Sequence, residues 1–236
     1  PGSEGQGGEK FGSGGGLIGV VYSPNITSEH LGHWTDGEIA RAITSGISRN
    51  GTALSPVMPY SGYNRLAEED LYAIITYIRT LRPIKSQVPE RRLDFLTEML
   101  VRMKPIPYTA PSRPDPADSV VYGAYLASIA GCADCHTPKE RGTPVPAMKM
   151  AGGSEFPLPD GGVVRASNIT PDAAEGIGRW SKKDFVARFK LYEDLDRRKM
   201  PVQEGRNTVM PWTRYAGMTE KDLEAVFTYL QTVMPV

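Results

Sequence analysis

Apolar residues recur every three or four positions along most of this chain, a spacing that predicts a mainly α protein. Val120, Ala124, Ala127 and Ile129 mark a helix over 119–130. Trp180 opens another helical run, where Ser181 and Asp184 have the spacing of a capping box. Thr219 and Asp222 repeat that device ahead of a last helix ending near Val233. Residues 35–47 and 67–81 have the same character, and Glu68, Glu69 and Asp70 put acids where a helix dipole favours them. Leu93, Leu96, Leu100 and Met103 predict one amphipathic helix over 90–103. Strand signals are confined to short pieces at 20–22 and 163–165.

The pattern occurs twice. Residues 19–27, which end in Asn25-Ile26-Thr27, match 162–170, which end in Asn168-Ile169-Thr170. Trp34 matches Trp180, Met58-Pro59-Tyr60 matches Met210-Pro211-Trp212, and Tyr63 matches Tyr215. Asp70-Leu71 and Tyr77 match Asp222-Leu223 and Tyr229, the offset growing from 143 through 146 to 152. Two homologous domains are expected, at 1–82 and 118–236. Residues 83–117 form a Pro-rich connector carrying the one amphipathic helix.

Length and composition narrow the class. A chain of 236 residues suits one or two domains at ~150 residues each. With 27 basic and 27 acidic residues it has no bulk attraction for nucleic acid or an anionic surface. Local patches such as Arg197, Arg198 and Lys199 remain. No apolar run approaches the ~20 residues of a membrane span. The 25 glycines, 20 prolines and low aromatic content suit short helices, long structured loops and a prosthetic group that completes the core.

Cys132-Ala133-Asp134-Cys135-His136 supplies the candidate chemistry, and it holds both cysteines of the chain. Cys-x-x-Cys-His is the attachment sequence of c-type haem: two thiols add to the vinyl groups and the adjoining imidazole reaches the iron. A dithiol redox pair has no use for that histidine, and a zinc site lacks its second half. His30 and His33 lie in the first copy, so the second copy has no spare imidazole. Its sixth ligand is expected to be Met210, which has a repeat partner in Met58 and is followed by proline. Met200, followed by Pro201 in a loop insertion, is the competitor. Asn168, Arg179, Trp180, Trp212 and Tyr215 are candidates for the haem edge, with Asn25 and Trp34 as first-copy equivalents. The alternatives are plain packing for the aromatics, a turn for Asn168 and a surface position for the two histidines. Haem is attached to such motifs outside the bacterial cytoplasm, so a targeting segment is expected to have been removed.

The first copy has no such motif. Carried backwards, the repeat places Pro1 just downstream of where one would stand, and the retained Met58 favours a first domain truncated before Pro1. A second haem is expected there if its motif lies upstream.

Together these residues resemble the cytochrome c subunits of bacterial alcohol and gluconate dehydrogenases. The resemblance rests on the Cys132–His136 motif, Asn168-Ile169-Thr170-Pro171, Gly176-Ile177-Gly178-Arg179-Trp180 and Met210-Pro211-Trp212. Asn25-Ile26-Thr27, Gly32-His33-Trp34 and Met58-Pro59-Tyr60 extend it into the first copy. It implies tandem class I-like cytochrome c domains, haem c, periplasmic exposure and a relay from a respiratory dehydrogenase toward quinone or an oxidase. Those subunits usually carry three haem domains and a membrane anchor, whereas two domains are visible here. Two other readings stand beside the relay: a dihaem enzyme of the peroxidase or thiosulfate dehydrogenase type, and a largely structural subunit of an electron-transfer complex.

Overall fold

The structure, a computed structural model, describes residues 4–11, 19–103, 105–140, 142–158, 161–194 and 209–236. It divides into two compact units, Pro1–Arg113 and Pro114–Val236. Among the described residues there are ten α-helices and three small sheets. No helix among them is long and apolar enough to cross a membrane.

In the first unit β1 (Lys10–Phe11) pairs antiparallel with β2 (Gly19–Tyr22), pairing Phe11 with Val21. A single helical turn, α1 (Ser28–Leu31), leads to α2 (Asp36–Ser45). Thr35 caps α2 in a full capping box with Glu38, a Thr-x-x-Glu signal as plain in the sequence as Ser181 and Asp184. The helix stops at Gly46, whose φ of 69° and contact with the Tyr60 ring leave no room for a Cβ. After α3 (Tyr60–Tyr63), α4 (Glu68–Thr80) buries Leu71 and Ile75 and packs against α2, which buries Ile39 and Ile43.

The helix expected over 90–103 is shorter. Arg92–Leu93 pairs with Gly19 and Val20 as β3, and Asp94 then caps α5 (Phe95–Arg102) by accepting from the amides of Leu96 and Thr97. A capped start wins over apolar periodicity because it satisfies amides that the longer helix would leave to water. Much of 83–113, expected as connector, is tied to the first unit. Arg91 donates to the Ala53 carbonyl at 2.6 Å, Asn64 to that of Pro107 at 2.9 Å and Tyr108 to that of Leu66 at 2.7 Å.

The second unit opens with α6 (Ser119–Ile129), capped by Asp118, and α7 (Cys132–His136). Two hairpins follow, β4 (Lys139–Glu140) with β5 (Thr143–Pro144) and β6 (Glu155–Pro157) with β7 (Val163–Arg165). Then come α8 (Lys182–Lys190), α9 (Trp212–Tyr215) and α10 (Glu220–Leu230). Helices α6 and α10 cross so closely that a Cβ on Gly123 would lie 1.9 Å from the Ala225 carbonyl oxygen. Phe185, Phe189, Phe227, Leu223, Leu230 and Met150 fill the core. Ser181 and Asp184 form the expected capping box. At Thr219 the device is only half made: the side chain accepts from the Asp222 amide, but the Asp222 carboxylate accepts from the hydroxyls of Thr219 and Tyr122.

Residues that match in sequence make matching hydrogen bonds within each unit. Asn25 accepts from the Thr27 amide and donates to the Ile84 carbonyl; Asn168 accepts from the Thr170 amide and donates to that of Val236. The Ile84 amide donates to the Thr27 hydroxyl, and the Val236 amide to that of Thr170. Arg79 donates to the Leu31 carbonyl, and Gln231 to that of Ile177.

Candidate haem site

Gly131, at φ 70°, turns the chain from α6 into α7 and so presents both cysteines and His136 on one short helix. Cys132 packs against the core and Cys135 is exposed; neither is in a disulfide. Burial pushes the Cys132 thiol up to about 12 and raises that of Cys135 too. Both stay protonated at neutral pH, contrary to what a reactive dithiol pair needs.

His136 is held from two sides. Its Nδ1 donates to the Ser167 carbonyl at 2.7 Å, and its own carbonyl accepts from the Gly152 amide at 2.7 Å. Burial lowers the pKa of the ring, favouring neutral imidazole. With the proton on Nδ1, the Nε2 lone pair is the one left for a metal. Gly152 has a φ of 77°, and a Cβ there would come 2.5 Å from the Ala166 oxygen. Ser167 and Gly152 are the site residues that motif reading missed; the adjacent pair Gly152-Gly153 was the available signal.

Four of the candidates meet on one core. Cys132, Met210, Trp212 and Tyr215 all pack against the same buried cluster, and the Tyr215 hydroxyl donates to the Ala130 carbonyl at 2.7 Å. The Trp212 ring lies 5.3 Å from Phe189, stacks on Tyr192 at 5.2 Å and has the Arg188 guanidinium 4.8 Å from its centre. Its Nε1 is nonetheless buried with no hydrogen-bond partner. In the first unit the hydroxyl of Tyr60, the residue matching Trp212, is orphaned in the same way. These are the two such side-chain atoms among the described residues.

The remaining candidates lie elsewhere. Asn25 and Asn168 have their amides committed to backbone ties. Trp180, 39% exposed, lines a shallow cavity of about 420 Å³ with Arg179, Asp184, Ala187 and Arg188. The Trp34 carbonyl accepts from Arg79, and its ring sits 6.1 Å from that of exposed His30. Met58 is half-buried just ahead of α3. Met200, Pro201, Arg197, Arg198 and Lys199 lie outside the described residues.

This donor set fits haem c. Two unoxidised thiols precede an imidazole of fixed tautomer, a thioether shares their core, and a buried indole N–H has no protein acceptor. No group of three or more His, Cys, Asp or Glu residues that could hold a metal ion occurs among the described residues.

Residues 120–234 match the family model described as Cytochrome c. The second unit is a cytochrome c domain. Such a domain binds haem c covalently and serves electron transport. Beyond it, the chain is similar to the cytochrome c subunit of the quinone alcohol dehydrogenase of Gluconacetobacter polyoxogenes, with 30% identity over 237 residues. That match takes in 93% of this chain and 49% of the relative. The fructose dehydrogenase cytochrome subunit of Gluconobacter japonicus is 30% identical over 232 residues, covering 92% and 45%. The gluconate 2-dehydrogenase cytochrome c subunit of Pantoea cypripedii is 27% identical over 234 residues, covering 92% and 52%. The chain thus spans about half the length of these relatives, and the family match lies within its second unit.

Proposed function

We propose that this chain is a periplasmic electron carrier that passes electrons from a respiratory dehydrogenase toward a further redox acceptor. Cys132 and Cys135 would hold the haem, and His136 and Met210 would ligate its iron. When bound, the haem would supply a one-electron iron couple, whose potential a thioether ligand would raise. The protein's own work is to keep His136 neutral and oriented through Ser167, and to pack Met210, Trp212 and Tyr215 so that water stays out. An iron ligated by both side chains would suit electron transfer rather than peroxide chemistry. The observation that carries this reading is the Nδ1 bond of His136, which leaves Nε2 as the metal-facing nitrogen. The test is the oxidised spectrum of purified Met210→Leu and Met200→Leu: loss of the sulfur-to-iron charge-transfer band in the first alone supports it. A high-spin wild-type iron that binds small ligands sinks it in favour of an enzyme.

The first unit is, on the same proposal, a second cytochrome c-like domain in which Met58 takes the place of Met210. Support comes from the hydrogen bonds shared with the second unit and from the orphaned Tyr60 hydroxyl. A pyridine-haemochrome count on the full-length protein decides: two haems support a relay, and one makes the first unit a scaffold.

A further inference from the structure

His30 in α1 and His33 just beyond it are both exposed, and their rings lie 6.4 Å apart, centre to centre, at 73° to each other. The chain has three histidines, and the third, His136, belongs to the haem-attachment motif. Neither of these two rings makes a hydrogen bond or an ion pair among the described residues. The backbone that carries them is, by contrast, fixed. Arg79 donates to the Leu31 carbonyl at 2.9 Å and to the Trp34 carbonyl at 2.6 Å, on either side of His33, and is itself paired with Asp36 at 2.7 Å. The amides of His30 and Leu31 both donate to the Thr27 carbonyl, and the half-buried Trp34 ring lies 6.1 Å from that of His30. Two free imidazoles on a fixed backbone are a preorganised pair of nitrogen donors.

The spacing is within reach of a chelate. At metal–nitrogen distances of about 2.0–2.1 Å, each ring centre lies about 3.2 Å from a shared ion, and a tetrahedral angle puts the two centres about 5 Å apart. Closing the pair from 6.4 Å by about 1 Å takes side-chain rotations that two exposed residues can make. No third His, Cys, Asp or Glu joins them among the described residues, so water would complete the shell. Asp36, three residues on, is already held by Arg79. Imidazole donors without a carboxylate favour a first-row transition ion over calcium or magnesium, which take oxygen ligands. We propose that His30 and His33 together bind one divalent transition-metal ion, Zn2+ or Cu2+, as a two-imidazole surface site. The proposal stands apart from the electron-transfer reading, since it uses no residue of the haem-attachment motif.

The test is calorimetric titration of the full haem-loaded chain with zinc chloride in a non-chelating buffer, attached haem keeping Cys132, Cys135 and His136 out of the titration. One zinc per chain is expected, with copper(II) bound more tightly and calcium not at all. His30→Ala and His33→Ala should each weaken zinc binding at least tenfold, because the second imidazole acts at high effective concentration once the first is bound. Both side chains are exposed, so the haem spectrum and helix content should stay as in wild type. Pulsed electron paramagnetic resonance of the copper-loaded chain should count two imidazoles on the ion in wild type and one in either variant. Absence of zinc binding, or variants that bind zinc as wild type does, overturns the proposal. So does one zinc per two chains, which would assign the ion to a contact between copies.

Discussion

The His136 imidazole and the Ser167 carbonyl, 31 residues apart in the chain, are joined by a 2.7 Å hydrogen bond. It determines which ring nitrogen is protonated and therefore which one is left to a metal. The loop that delivers the carbonyl depends on Gly152, which binds the His136 carbonyl and underlies Ala166 and Ser167. Gly152→Ala puts a Cβ into backbone at a left-handed φ. It should cost about 1–3 kcal/mol and loosen His136, read as a lower denaturation midpoint and a heterogeneous iron spectrum.

Gly123 is a second place where bulk is excluded. Gly123→Val drives a side chain into the Ala225 carbonyl and should separate α6 from α10, at a cost of about 3 kcal/mol or more. Gly37 is the contrast, since a Cβ there meets nothing within 4 Å. Gly37→Ala should raise the stability of the first unit by about 0.5–1 kcal/mol. Urea unfolding of the two variants tests both; equal effects would refute the close crossing.

Tyr215→Phe removes the bond to the Ala130 carbonyl, just before the turn into α7. The loss should be about 1 kcal/mol, with the haem count unchanged. A variant that loses haem would instead make this hydroxyl part of attachment.

The capping carboxylates carry a pH dependence of definite sign. Hydrogen bonds from Ser181, and to a lesser extent its other partners, lower the Asp184 pKa from the usual 3.8, and bonds from Thr97 do the same for Asp94. Folded pKa values below unfolded ones mean that these groups stabilise the fold above about pH 4 and cease to as pH falls through the lowered values. Melting temperature should therefore drop as the pH falls below about 4, and less steeply in Asp184→Asn/Asp94→Asn.

Much of this protein is legible in its sequence, because the energies involved are local. Helix spans follow from apolar spacing, the Ser181 start from its cap, and the candidate haem-attachment motif from five consecutive residues. Residues matched in the sequence, such as Asn25 and Asn168, make matched bonds. What only the tertiary structure decided are contacts between residues far apart in the chain. Pairing with β2 removed the start of the expected helix at 90–103, and Arg91 and Tyr108 bound its surroundings to the first unit. The Ser167 carbonyl, a backbone group with no side-chain signature, became the partner of His136. That α5 turns apolar residues such as Phe95 outward was equally hidden, because periodicity shows that a helix has an apolar side but not which way packing will turn it.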